Sequence, residues 1–263
     1  MTFIESESNP RYKRWKKLAT ESRAVKKEGA TLLEGAHLCE TALANRSTRV
    51  ATLLVNESPN AEAQALLARA QAQGIALVTL KNSLFQALSP VEHGIGIMME
   101  IAVPVLTIDS LDAMQSLLYL DGVQDTGNAG TLIRTAVAAG VKTIVTSPST
   151  VQLWTPKVLR AGMGAHFGAT LIEGVSAHQL RERFSGTILA ADARGGEDLF
   201  ATDNYPQAPT AWIMGAEGPG VSEEALSLTD RRFYIPIEPD CESLNVAAAT
   251  AVCLFEQRRR WLK

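Results

Sequence analysis

What this 263-residue chain lacks narrows it first. No run of about 18 apolar residues occurs, so no membrane partner is expected, and the opening Met1-Thr2-Phe3-Ile4-Glu5-Ser6 carries no signal-peptide pattern. A cytoplasmic protein is expected. The three cysteines, Cys39, Cys241 and Cys253, include no C-x-x-C pair, which speaks against a disulfide framework. His37, His93, His166 and His178 show no metal-ligand spacing, and no metal is expected. Cys241 has no histidine partner of the kind a thiolate nucleophile needs, so it is read as a loop thiol. No G-x-G-x-x-G follows the first strand of the second half, because Gly127, Gly130, Gly215, Gly218 and Gly220 stand at other spacings. A nicotinamide-dependent dehydrogenase is disfavoured.

Positive charge is also scarce in total, with a formal net charge of −3 and a pI near 5.9. Its distribution is uneven: residues 1–100 hold 12 Lys and Arg against 10 Asp and Glu, the remainder 13 against 18. A nucleic-acid partner would therefore meet the N-terminal part. The length, 46% hydrophobic content and 20% charged content fit two soluble domains with real cores.

Along the chain, Ser8-Asn9-Pro10 offers a cap and a proline for a basic helix running through Arg11, Lys13, Arg14, Lys16, Lys17, Arg23, Lys26 and Lys27 to Gly29, with Trp15 and Leu18 turned inward. Such a density of cations is either a solvated face or a phosphate-binding one. Strands at 31–33, 49–55, 75–80 and 95–103 alternate with helices after Gly35, at 60–73 and at 82–88, which predicts a compact α/β/α sandwich over residues 1–103. Beyond a boundary at 104–109, strands are expected at 117–120, 142–146, 170–172, 187–191, 210–214 and 232–237. Helices are expected at 129–139, 156–164, 178–184, 223–227 and 243–261. That alternation implies a largely parallel sheet covered on both faces.

Three stretches carry the chemistry: LDGVQDTGNAGTLIRTA at 120–136, IMGAEGPG at 213–220, and IPI at 235–237 followed by CESLNV at 241–246. The last is a strand, an acidic loop and a helix start, where unpaired backbone N–H groups and short side chains stand together. Ser243 serves there as a helix cap or as part of a site. Arg134, in the first turns of its helix, opposes the helix dipole unless it meets an anion.

In order and spacing these stretches resemble the three signature motifs of the SpoU (TrmH-like) RNA 2′-O-methyltransferases of the SPOUT superfamily. The segment EGAHLCETAL at 34–43 resembles the ribosomal protein L30e-like domain that many members carry. The resemblance implies an L30e-like substrate-binding domain over 1–103 and a SPOUT methyltransferase domain over 104–263. It also implies a deep C-terminal trefoil knot, a rare exception to the rule against knotted chains. By the same resemblance the chain is a homodimeric enzyme that uses S-adenosylmethionine (AdoMet) to methylate a ribose 2′-hydroxyl of RNA, ribosomal RNA before transfer RNA. Gly215, Ile235 and Leu244 match the positions that hold AdoMet. Arg134 and Asn128 match the catalytic motif, with Glu217, Ser243 and Asn245 shaping the site. Arg11, Lys13, Arg14, Lys16 and Lys17 are the expected RNA contacts. The segment WTPKVLRAGMGAHFG at 154–168 resembles a family stretch preceding the knot, in which Arg160 is either an RNA contact or a surface arginine.

Family proposals make the matching arginine a general base, yet a guanidinium does not release its proton in proteins. The alternative has Arg134 bind the phosphate beside the target ribose and orient the 2′-hydroxyl. Two competing readings remain, a noncatalytic RNA-binding protein on the same fold and a SPOUT enzyme methylating a base nitrogen. Intact Asn128, Arg134 and Ser243-Leu244-Asn245 speak against the first, and the SpoU-like wording of the motifs against the second.

Overall fold

A computed structural model describes residues 2–89 and 94–262; His93 lies outside them. The chain forms two compact units, Met1–Val105 with Trp154–Phe167, and Leu106–Leu153 with Gly168–Lys263.

The first unit runs β1 (Thr2–Ile4), α1 (Pro10–Thr20), α2 (Ser22–Glu28), β2 (Ala30–Glu34), α3 (Ala36–Ala44), β3 (Val50–Val55), α4 (Ala61–Ala72), β4 (Ala76–Leu80), α5 (Asn82–Leu88) and β5 (Ile97–Ala102). Its sheet has the order β1-β4-β3-β5-β2. β4 pairs in parallel with β1 and β3, while β5 is antiparallel to β2 and β3. Asn9 caps α1, its side-chain oxygen accepting from Arg11 N at 2.9 Å and Tyr12 N at 3.4 Å, with Pro10 at the first helical position.

The single basic helix expected from the sequence is in fact two. Glu21 is extended (φ −118°, ψ 109°), and just before it Thr20 Oγ1 donates back to Lys16 O at 2.8 Å, a side-chain bond that bends and weakens helices. Tyr12, Trp15 and Leu18 of α1 are buried, and the Trp15 indole donates to Glu100 Oε2 at 2.7 Å.

The second unit runs β6 (Leu117–Asp121), α6 (Thr126–Ala139) and β7 (Thr143–Thr146). The chain then leaves for the segment that packs with the first unit, where α7 (Pro156–Gly162) lies against β2. It returns as β8 (Thr170–Ile172), α8 (Ala177–Arg183), β9 (Thr187–Ala191), β10 (Glu197–Asp198), β11 (Thr210–Gly215), α9 (Glu223–Ser227), β12 (Arg231–Tyr234) and α10 (Val246–Trp261). Every recorded pairing among its seven strands is parallel, in the order β10-β12-β9-β11-β6-β7-β8.

A sheet buried on both faces needs strands that are apolar throughout, and all five residues of β6 and all six of β11 are buried. On one face Leu117, Tyr119, Ala211 and Ile213 join Leu180 and Phe184 of the α8 region in a single core. On the other, Trp212 Nε1 and Thr210 Oγ1 both donate to Gln257 Oε1 of α10, at 2.8 and 2.9 Å. α6 buries Leu132, Ile133 and Ala136 and packs on α10; each fully buried leucine or isoleucine contributes about 1.5–3 kcal/mol.

Two boundaries differ from expectation. β12 ends at Tyr234 rather than Ile237, because Pro236 has no N–H to extend a ladder. α10 starts at Val246 rather than Ser243, and Asn245, not Ser243, caps it by accepting from Ala247 N at 2.9 Å and Ala248 N at 3.4 Å.

Candidate active site

Parallel strands bring their C-terminal ends to one edge, and in open α/β sheets ligands bind there, where strand order reverses. β6 is such a switch point, with β7 on one side and β11 on the other. The three signature stretches pass through the loops that follow β6, β11 and β12.

The polar wall is built by a chain of amides with a fixed polarity. Capping commits the Asn245 carbonyl oxygen to the first N–H groups of α10, so its Nδ2 faces outward and donates to Asn128 Oδ1 at 3.1 Å. That in turn commits Asn128 Nδ2, which donates to Glu217 Oε1 at 2.5 Å. Asp125 caps α6 and fixes Asn128 itself, accepting from its backbone N at 2.7 Å. Residues 128, 217 and 245 are thus joined directly.

Beside this wall lies a cleft of about 460 Å³, lined by Gly215, Ile235 and Leu244 together with Glu217, Ser243 and Asn245. Met214, Phe233, Ile237, Val246 and Ala249 supply apolar lining. Gly215 is required by the chain itself: a Cβ there would sit 2.0 Å from Gly220 C and 2.1 Å from Val221 N. The backbone that crosses it belongs to a small hairpin closed by Ala216 N to Gly220 O at 3.1 Å and Gly220 N to Ala216 O at 3.0 Å.

Two charged lining residues were not singled out from the sequence, Asp192 and Arg194. Asp192 is 5% exposed; its Oδ1 accepts from Arg194 N at 3.1 Å and Nε at 2.9 Å, while Oδ2 has no hydrogen-bond donor among the described residues and lies 3.6 Å from Arg232. Burial works against the charged carboxylate, but the bonds from Arg194 and the charges of Arg194 and Arg232 outweigh it and hold the pKa below the ordinary value. The signal in the sequence was an aspartate immediately after the predicted strand 187–191, at the ligand-binding edge.

Arg134 stands apart. It is exposed, lines no part of the cleft, and makes no hydrogen bond or ion pair among the described residues. Six residues after Asn128, it lies about 9 Å further along α6 and about 120° around it.

Of the expected RNA contacts in the first unit, Arg14 is engaged with Glu28 at 2.9 Å and the buried Glu100 at 2.5 Å. Arg11 lies over the Trp15 ring at 5.0 Å and donates to Thr52 at 3.4 Å, and Lys16 pairs with Glu7 at 3.6 Å. Lys13 and Lys17 are exposed and have no ion pair among the described residues. Among those residues no group of His, Cys, Asp and Glu could hold a metal ion, and no helix is long and apolar enough to cross a membrane.

Comparison with known proteins agrees with this architecture. Residues 115–255 match the SpoU rRNA Methylase family, and residues 9–98 match the MRM3-like substrate binding domain. The chain is 32% identical to the 23S rRNA (guanosine(2553)-2′-O)-methyltransferase RlmP of Bacillus subtilis, over 98% of this chain and 100% of that protein. In fold it is similar to the AdoMet-bound rRNA methyltransferase of Sinorhizobium meliloti (TM-score 0.87, 24% identity, 100% and 99% of the two chains). It is equally similar to the SpoU methyltransferase AviRb of Streptomyces viridochromogenes in complex with AdoMet (TM-score 0.87, 23% identity, 97% and 99%). With the three motifs gathered on the ligand-binding edge of a parallel sheet and a family match across more than half its length, the chain belongs to the SpoU rRNA methylase family.

Proposed function

We propose that this protein transfers a methyl group from AdoMet to a ribose 2′-hydroxyl of ribosomal RNA in the cytoplasm, working as a homodimer. The observation that carries the reading is the Asn245-Asn128-Glu217 chain bordering the apolar cleft of Gly215, Ile235 and Leu244. The cleft falls within the 300–1,000 Å³ of small-molecule sites. Its lining suits AdoMet: apolar walls for the adenine, carboxylates at Asp192 and Glu217 for the cationic groups, and one arginine for the carboxylate. When bound, AdoMet supplies an electrophilic methyl group.

The residues of the chain do the rest. Gly215, Ile235 and Leu244 hold the donor, and the amide chain fixes Glu217 and the mouth of the cleft. Arg134 keeps its charge, binds the phosphate beside the target ribose and orients the 2′-hydroxyl, whose proton leaves to phosphate or water. Because Arg134 lies outside the cleft of its own chain, the arginine serving each cleft comes from a second copy. Residues 1–103 serve as the RNA-binding domain, with Lys13 and Lys17 among its cations that have no ion pair with the described residues, and residues 104–263 as the methyltransferase domain. The knot belongs to the same proposal, supported by a chain that passes from β12, near one sheet edge, back to α6 through α10.

The test is methyl transfer from labelled AdoMet to total RNA of a strain lacking the protein, followed by mapping of ribose methylation. Label at a ribosomal RNA ribose is expected, and label only on transfer RNA or on a base would refute the substrate assignment. Mixing Arg134→Ala chains with chains disabled at Leu244 tests the dimer. Restored activity is expected, and none would place Arg134 in its own chain's site.

A further inference from the structure

Among the described residues, Arg194 is the only cationic side chain lining the cleft, where the anionic ones are Asp192 and Glu217. It sits in the loop after β9 and is held from two sides. Its Nε donates to Asp192 Oδ1 at 2.9 Å and one terminal nitrogen to Val221 O at 3.1 Å, while the other reaches Glu223 at 3.5 Å. Half of the side chain remains exposed. A guanidinium has five N–H donors in a rigid fork, so these three contacts leave two free while the plane is already oriented. Asp192, buried and itself compensated by Arg232, is the anchor that fixes that plane.

AdoMet, at neutral pH, carries one carboxylate among its cationic groups. A carboxylate entering this cleft meets one lining cation with an unused N–H on each terminal nitrogen, and charge-assisted arginine–carboxylate bonds are the strong ones. We propose that Arg194, oriented by Asp192, recognises the α-carboxylate of the methyl donor. The inference rests on the proposed use of AdoMet, and it makes Arg194 a specificity residue and Asp192 a positioning residue.

The test is calorimetric, on the full chain, with AdoMet and with decarboxylated AdoMet, which keeps the adenosine, sulfonium and amine. Wild type should bind the decarboxylated compound roughly 10- to 100-fold more weakly, the range of a charge-assisted hydrogen bond. Arg194→Gln should weaken AdoMet by a similar factor and leave the decarboxylated compound unchanged, a cycle that cancels the charge difference between the two ligands. Arg194→Lys should fall between. Equal binding of both compounds by wild type overturns the proposal without reference to any variant. So does an Arg194→Gln chain that weakens both ligands equally, which would mean that the cleft wall had collapsed. Unchanged donor affinity with weaker, less salt-dependent RNA binding would assign Arg194 to RNA phosphates and overturn it as well. Failure of wild type to bind either compound would instead refute the methyl-donor reading on which this one stands.

Discussion

Replacing Gly215 by alanine separates two reasons for a glycine at the end of β11. The added carbon would lie 2.0 Å from Gly220 C and 2.1 Å from Val221 N, both main-chain atoms, against an ordinary carbon contact of about 3.5–4.0 Å. No rotamer relieves that overlap, so the hairpin at 216–220 has to open. The loss comprises its two backbone hydrogen bonds, at about 0.5–1.5 kcal/mol each, and an overpacking cost of about 1–3 kcal/mol. A total of roughly 2–6 kcal/mol follows. At about 2–4 °C per kcal/mol, the second unit should melt roughly 4–24 °C lower, followed by calorimetry on the full chain. Binding of S-adenosylhomocysteine should fall with it, because the same loop walls the cleft. Gly218→Ala is the control: its φ of +93° makes alanine strained, but nothing lies within 4 Å of the new carbon, so about 1–2 kcal/mol is expected. A Gly215→Ala protein that melts like wild type yet loses the ligand would refute the reasoning and make the glycine a matter of ligand approach alone.

Other outcomes follow from the same geometry. Arg134→Lys should lower turnover roughly 100-fold or more with little change in S-adenosylhomocysteine affinity; full activity in Arg134→Ala would move the chemistry elsewhere. Neutralising Lys13 and Lys17 should reduce the log-log salt slope of RNA binding by roughly 0.7–0.9 per lost contact. Arg14→Gln should instead cost about 1–3 kcal/mol of stability, by leaving the buried Glu100 with the Trp15 indole alone; the reverse pattern would exchange their roles. One thiol, Cys241, should react in the native chain and three in denaturant, since Cys39 and Cys253 are buried and burial pushes the Cys253 thiol up to about 12. Finally, Asp192 has a lowered pKa, so its stabilising contribution is present above the ordinary aspartate value of 3.8 and is lost as pH falls through the folded value. The stability gap between wild type and Asp192→Asn should therefore narrow below about pH 4. A pH-independent gap would show that the carboxylate's charge is not what stabilises.

Much of the second unit could be read from the chain because its strands are buried on both faces and so appear as apolar runs, as at 117–120 and 211–215. The meeting of residues 215, 235 and 244 at one cleft was also legible, through motif order. Of the short edge strands, β8 was legible, but β1 and β10, with three and two residues, were not. The start of α10 was ambiguous because Ser243 and Asn245 are both good caps. The choice is decided by the bond from Asn245 to Asn128, 117 positions away in sequence. Arg14 looked like one more RNA-facing cation for the same kind of reason, since Glu100, which engages it, lies 86 positions away. Asp192 was visible as a residue but not as a site, because an oxygen without a donor is a property of the folded surroundings.

The deepest constraint on the site comes from the pairing of α6 with α10. Asn245 reaches Asn128 at their N-terminal ends, and Arg258 reaches Ala139 O at 3.2 Å at their C-terminal ends, so the two helices, of 14 and 16 residues, run parallel along their whole length. Parallel neighbours align their dipoles unfavourably and concentrate partial positive charge at one end and negative at the other. Each end carries its offset: Arg258 sits at the C-terminal end of α6, and the Glu217 carboxylate takes the hydrogen bond of Asn128 at the shared N-terminal end. Glu217 therefore does two things at once. It steadies an otherwise repulsive helix pair, and it fixes a negative wall beside the proposed donor cleft, while Arg134, the cation proposed for the RNA backbone, is carried further along α6, away from that wall.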